Sequence, residues 1–370
     1  MHLNYGTMTL LIASEDDTKS FSEHDAYEKE ALMSRTIKDV AKLAGVSIST
    51  VSRVMNDSKP VSPESRKKVL DAIEKLDFKP NELARSLVMK ESRIIGVVVK
   101  DINISYMAQI IQGIEETGKL YQYDILLSNT YGEKEDDLDA IELFFRKRVD
   151  GLIVVSEDID PDVLARIKDY RIPYLQIDRY YDPRKIDTVS VEYEKGGYEM
   201  TKHLMDLGHR KVLYIRNHGT SAVEMMKFTG CKNALGEIDE IPLVLDMDED
   251  SIEEGYKSGD RVMELIQKHG ITAIFCCRDA LAIGLSNYFY DHKMTIGKDI
   301  SIAGYGSDPM STIYRPTITT VMEPYYDIGA IAIRKLVKSL KGDESDENLQ
   351  TTYLGLQVKR RESTARIQGL

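Results

Sequence analysis

From residue 35 onward the apolar and polar positions fall into short helical phrases. In "TIKDVAKLAGVSISTVSRVMN", residues 36–56, apolar side chains recur every three or four positions in two runs broken at Gly45. Thr36 followed by Asp39 has the spacing of a capping box, so "IKDVAKLA" starts a helix that Gly45 stops. "GVS" is then a tight turn, and Ser47 can cap a second helix from Ile48 to Asn56. Ser62-Pro63-Glu64 opens a third, with a cap, a proline at the first helical position and an acid on the positive end of the dipole. Val69, Ile73 and Leu76 line one face of it. Two short helices about a glycine turn, with a third packed on them, make a helix-turn-helix head.

Beyond Arg93 the period changes. Apolar, β-rich runs alternate with amphipathic helical stretches, the strand candidates being "IIGVVV", "YDILLSN", "GLIVVS", "PYLQID", "KVLYIR", "AIFCCR" and "ISIAGY". Such alternation predicts parallel sheets wrapped by helices, and seven strands are too many for one tidy sheet, so the α/β body divides into two lobes.

Charge sharpens this division. The 370-residue chain carries a net charge of −12, which alone argues against a nucleic-acid partner. Residues 35–90, however, hold 12 basic and 7 acidic side chains, a net of +5, whereas residues 1–34 hold 2 and 7, a net of −5. A basic module on an acidic body is the electrostatic footprint of a DNA-binding head. Residues 1–34 read as a disordered acidic extension or as a misassigned start, with translation beginning at Met33.

The three cysteines give neither a disulfide framework nor a metal spacing, and no cofactor or metal is expected. No apolar run approaches the roughly 20 residues of a membrane helix, and the opening "MTLLIAS" is too short for a signal peptide, so a cytoplasmic location is expected. No Gly-x-Ser-x-Gly, P-loop or HExxH motif is present, so an enzyme is not expected. A solute-binding transport protein would share the body but not the head.

On the second helix Ile48, Ser49 and Arg53 share one face. Arginine suits a bidentate contact to guanine, and an apolar side chain can meet a thymine methyl. Thr36, Ser47, Thr50, Ser52 and Asn56 carry short polar groups suited to phosphates, which position without specifying.

The stretches "TIKDVAKLAGVSISTVSRVMN" and "VSPESRKKVLDAIEKLDFKPNELARSLV" resemble the head and hinge of the LacI family of bacterial transcriptional regulators. The resemblance implies a homodimer on a pseudo-palindromic operator of double-stranded DNA. It also implies a head at 35–80 and a hinge helix at 81–91, with Asn81 as its cap, Ala84 as a DNA contact and Leu87 as a minor-groove wedge. It continues through the body, implying a periplasmic-binding-protein-like arrangement. Lobe one would hold about 92–191 and 322–349, and lobe two about 192–321 and 350–370. The cleft between them would be lined by Asp101, Tyr106, Asp178, Lys227, Arg278 and Asp279. Here the chain departs from sugar-binding members, which usually carry arginine in place of Lys227, Asn-Asp in place of Arg278-Asp279, and aspartate in place of Gly306. Lysine is no bidentate fork and glycine offers no carboxylate, so a sugar pocket of the usual kind is not expected.

"YYDIGAIAIRKLVKSL", residues 325–340, and "GIEETGKLYQYDILLSNT" are similar to the catabolite-control branch of the family. That similarity implies a regulator of carbon-metabolism genes whose partner is HPr phosphorylated on a serine. Tyr326, Asp327, Arg334 and Lys338 match docking positions there, with Arg334 facing the phosphate. Arg334, Lys338 and Lys341 also share one helical face, which suits a dianionic group. The alternative is a local repressor released by a sugar, sugar phosphate or related metabolite.

Overall fold

The computed structural model describes residues 36–56, 59–78, 91–156, 159–177, 188–217, 221–306, 308–342 and 351–367. The chain divides into two compact units, Met1–Glu91 and Ser92–Leu370. The expectation for residues 1–34, and the hinge expectations for Asn81, Ala84 and Leu87, lie outside the described residues.

The first unit contains α1 (Ile37–Ala44), α2 (Ile48–Asn56) and α3 (Pro63–Leu76). Gly45 ends α1 in the left-handed region at φ 64°, its N–H donating to the Ala41 carbonyl. Ser62 caps α3 by accepting from the Ser65 N–H at 3.3 Å. Val40, Ala41 and Ala44 meet Val51 and Val54 of α2, Val69 and Ala72 of α3, and Phe78 in one small core. This core settles which face of α2 points inward.

The second unit begins with β1 (Ile94–Val99), α4 (Ser105–Leu120), β2 (Asp124–Asn129), α5 (Lys134–Lys147), β3 (Gly151–Val155), α6 (Pro161–Asp169), β4 (Tyr174–Ile177) and β5 (Thr188–Val191). The chain then crosses to a second lobe. That lobe holds α7 (Tyr193–Asp206), β6 (Val212–Asn217), α8 (Ala222–Gly236), β7 (Leu243–Met247), α9 (Ile252–Lys257), α10 (Gly259–His269), β8 (Ala273–Cys276), α11 (Asp279–Asp291), β9 (Ser301–Tyr305), α12 (Met310–Ile313) and β10 (Thr319–Met322). It returns to lobe one for α13 (Tyr325–Leu340) and β11 (Thr351–Leu354), and ends in lobe two with β12 (Gln357–Lys359).

The sheet orders are β11-β5-β4-β3-β1-β2 and β12-β10-β9-β8-β6-β7, parallel throughout except for β12 against β10. Both are doubly wound, so each lobe presents a strand-order reversal at the carboxyl ends of its strands, where such folds hold ligands. The last crossing falls later than the expected 349/350 boundary. Thr351–Leu354 pairs in parallel with Thr188–Val191, so lobe one keeps that strand and the chain leaves it at Gly355-Leu356.

Within lobe one, α4 and α13 lie backbone against backbone. A Cβ at Gly113 would stand 2.0 Å from the Tyr326 carbonyl oxygen, and one at Gly329 would stand 2.1 Å from that of Ile110. Gly113→Ala should therefore destabilise the chain by about 1–3 kcal/mol through overpacking. Gly118→Ala, whose Cβ would meet only the Ile125 side chain at 3.3 Å before backbone atoms at 3.4 Å, should cost far less. Urea unfolding of the two variants checks this; equal midpoints would refute the close approach.

Candidate DNA-reading face and effector cleft

On α2 the inward positions are Val51 and Val54, both buried. The opposite side carries Ile48, 45% exposed, with Ser49 and Arg53 also exposed. The core thus leaves free the three side chains expected to meet base edges. Several expected phosphate ligands serve the fold first. Thr36 donates its N–H and its hydroxyl to one oxygen of Asp39, both at 2.8 Å. Those hydrogen bonds hold the Asp39 carboxyl below its ordinary range, the Thr36 backbone N–H contributing most. Ser47 accepts from the Thr50 N–H at 3.1 Å, and its hydroxyl lies 2.7 Å from that of Ser49 and 2.8 Å from that of Thr50. The first turn of α2 therefore presents a linked set of hydroxyls. Ser52 is half-buried, and the Asn56 side chain lies outside the described residues.

In the body, the cleft expectations separate. Arg278 follows β8, and its guanidinium carbon lies 5.0 Å from the centre of the Tyr106 ring, which belongs to α4 of the other lobe. Tyr106 in turn stacks on Tyr325 at 4.9 Å. A cation of lobe two is thus seated on an aromatic pair of lobe one, an arrangement favoured by the ring quadrupole. Arg278 Nε is also 3.3 Å from Asp250.

Behind it lies Lys227, wholly buried, 3.0 Å from Glu224 and donating to the Cys277 carbonyl at 3.4 Å. The Lys227 ammonium also sits 4.3 Å from the Tyr305 ring centre. Burial pushes the Glu224 carboxyl upward, but Lys227 and Arg278 outweigh it and hold the group below its ordinary range. Glu323, in the second crossing segment, is held above its ordinary range because burial outweighs those same two cations. Glu224 Oε2, Glu323 Oε1 and the Tyr325 hydroxyl are buried and make no well-formed hydrogen bond among the described residues.

Two other cleft candidates have hydrogen-bond partners of their own. Asp101 spends one carboxylate oxygen on its own turn, accepting from Asn103 N at 2.9 Å and Nδ2 at 3.0 Å. Asp279 is buried and accepts from the Thr320 hydroxyl at 2.6 Å and the Asp308 N–H at 2.7 Å, tying β10 and the loop after β9 to α11. Burial raises its carboxyl to about 7. Asp178 lies outside the described residues. Glu224, Asp250, Glu323 and Tyr325 were not among the expected residues. Glu224 alone had a local signal, three residues before Lys227 on the same helix.

On the outer face of lobe one, Tyr326, Asp327, Arg334 and Lys338 are all exposed on α13. The Tyr326 hydroxyl donates to Glu116 of α4 at 2.9 Å. Arg334 and Lys338, one turn apart, have no carboxylate partner among the described residues. Lys341, just past the helix, lies 5.4 Å from the Tyr121 ring centre. Among the described residues there is no His, Cys, Asp or Glu grouping able to hold a metal ion, and no helix is long and apolar enough to cross a membrane.

Residues 36–81 match the family described as bacterial regulatory proteins, lacI family, and residues 201–364 match the periplasmic binding protein-like domain. The chain is 32% identical over 338 residues to catabolite control protein A from Priestia megaterium, covering 90% of this chain and 100% of that protein. It is 33% identical to the HTH-type transcriptional regulator RegA from Clostridium saccharobutylicum, covering 85% of this chain and 95% of that protein. The structure of the lac repressor dimer bound to operator and the anti-inducer ONPF superposes with a TM-score of 0.78 at 26% identity, covering 90% of this chain and 99% of that one.

Proposed function

This chain belongs to the lacI family of bacterial regulatory proteins and is a DNA-binding transcriptional regulator, and from that premise we propose that serine-phosphorylated HPr docking on the α4–α13 face of lobe one sets its activity. It binds a pseudo-palindromic operator as a homodimer and controls genes of carbon metabolism. The observation that carries this reading is the pair Arg334 and Lys338, exposed one turn apart and without a carboxylate partner among the described residues. A dianionic phosphoserine supplies the missing counter-charge, and arginine can hold it with two parallel hydrogen bonds. Tyr326 and Asp327 extend the same helix face toward its N-terminus. The likeness to catabolite control protein A over nine-tenths of the chain supports this choice of partner.

A second reading rests on a different observation. The orphaned oxygens of Glu224 and Glu323 and the Tyr325 hydroxyl would welcome a small molecule rich in hydrogen-bond donors, such as a sugar or sugar phosphate in the cleft. Operator titrations separate the two. Adding serine-phosphorylated HPr should tighten operator binding by the wild-type chain, and Arg334→Glu should abolish that gain while leaving unassisted binding nearly intact. A wild-type chain that ignores the phosphoprotein but leaves the operator when a sugar is added establishes the second reading instead.

A further inference from the structure

Four neighbouring strands of lobe one are each entered through a residue in the left-handed region. These are Arg171 before β4 at φ 54°, Arg148 before β3 at φ 55°, Arg93 before β1 at φ 59° and Gln122 before β2 at φ 61°. The sheet order places them side by side, in that sequence, along the amino edge. Adjacent strands lie about 5 Å apart, so the three arginines form a row across three strands. Glycine takes this conformation at little cost, whereas a residue with a side chain is strained by it.

Lobe two shows that the fold does not ask for arginine there. Its sheet runs in the matching order, and the turns before β9, β8, β6 and β7 hold Lys293, Gly270, Gly208 and Asp239 at φ 59°, 65°, 95° and 57°. The helix dipole does not ask for it either, because α5 and α6 already carry Arg146, Lys147, Arg166 and Lys168 in their last turns. Arg148 and Arg171 are exposed and have no carboxylate partner among the described residues, while half-buried Arg93 lies 5.3 Å from the Tyr123 ring centre. Phe145 stacks on Tyr170 with ring centres 4.0 Å apart and ties the ends of α5 and α6 together, so their cations form one patch. Two carboxylates at this edge are occupied. Glu142 lies 3.3 Å from Arg146, and Asp150 accepts from the Ser92 N–H and hydroxyl and from the Arg93 N–H. Even with Asp169, cations outnumber carboxylates here, on a body whose own net charge is −12.

We infer that this amino edge of lobe one is a second DNA contact, one that grips the phosphate backbone of a duplex without reading its sequence. The chain belongs to a family of DNA-binding regulators, so duplex DNA is a partner it already meets. A line of cations suits a line of regularly spaced phosphates, whereas a single small anion would need a concave cradle. Arginine in place of glycine then exchanges backbone ease for positive charge at each turn. This contact is independent of phosphoprotein docking on α13.

The test measures affinity for a long scrambled duplex as salt is varied, using the full-length wild type and three double variants, alongside thermal melts. Arg148→Gly with Arg171→Gly removes the charges and relieves the backbone, so it should melt no lower than wild type. It should bind about tenfold more weakly at low salt, with the salt slope reduced by about 2, one for each lost phosphate contact. Lys268→Gln with Lys298→Gln removes two exposed cations from lobe two and should leave the slope unchanged. Arg148→Lys with Arg171→Lys keeps the charges and should keep the slope. On an operator duplex the glycine pair should weaken in parallel, because phosphate contacts carry no sequence information. An unchanged slope in the glycine pair overturns the contact. So does an equal fall in the lobe-two pair, which would mean net charge alone, or in the lysine pair, which would mean lost packing. A glycine pair that melts lower than wild type would make the arginines structural and overturn it too. Arginine-dependent binding to phosphatidylglycerol vesicles, with the DNA slope unchanged, would assign the row to a lipid surface instead.

Discussion

Replacing Glu224 by alanine is expected to cost the chain about 3–5 kcal/mol of stability, because it strands a fully buried ammonium. Lys227 has no solvent to retreat to. Its remaining neighbours are the Tyr305 and Tyr193 rings and one carbonyl, and none of them carries a full negative charge. Glu323 also feels the Lys227 charge, but burial pushes its carboxyl toward the protonated form. Exposed ion pairs on the same lobe, such as Lys257 with Glu253, are screened by solvent and contribute far less, so the contrast should be plain. Removing both charges in Glu224→Leu with Lys227→Met should restore most of the loss, since two apolar side chains of similar size need no counter-ion. Urea unfolding of the single and double variants checks this. A single variant that loses under about 1 kcal/mol would mean that Glu323 ionises and takes over the pair.

The second large effect concerns Arg53. It is the long cation on the exposed side of α2, fixed by Val51 and Val54 packing on the opposite side. Arg53→Ala should remove about 1–3 kcal/mol of discrimination at one base pair per half-site, the value of a bidentate contact to guanine. Binding to scrambled duplex should weaken less, in step with the loss of a single cation. Affinities measured across operators substituted at each position would locate the relaxed base pair. An unchanged specificity profile would remove Arg53 from the base-reading role and leave it as a phosphate contact.

How far these features could be read from sequence depended on whether the physics was local. The head was legible because its caps and stops are: Thr36 with Asp39, Gly45, Ser47 and Ser62-Pro63 each act within a few residues. The seven strands rich in β-branched and aliphatic side chains were legible too. The five others were not. "TVSV" and "TTVM" look half-polar, yet Thr188, Ser190, Thr319 and Thr320 are buried, and Thr188 and Thr320 bond to Gln176 and Asp279. Their burial depends on partners far along the chain. The cleft shows the same limit. Arg278 could be singled out by its departure from the family pattern, but its seat on Tyr106 and Tyr325 joins residues about 170 and 47 positions away. The partners of Asp101 and Asp279 could not be read in advance, because a carboxylate's hydrogen bonds to a turn or a buried hydroxyl leave no periodic trace.

The paired glycines of α4 and α13 carry a mechanical consequence. Carbonyl oxygens of each helix sit where the other's side chains would be, at Gly113 and Gly329 alike. Neither helix can ratchet past its neighbour by a turn, because the next position would drive a side chain into backbone. The close approach locks the two helices against sliding, so a displacement of one is expected to carry the other with it.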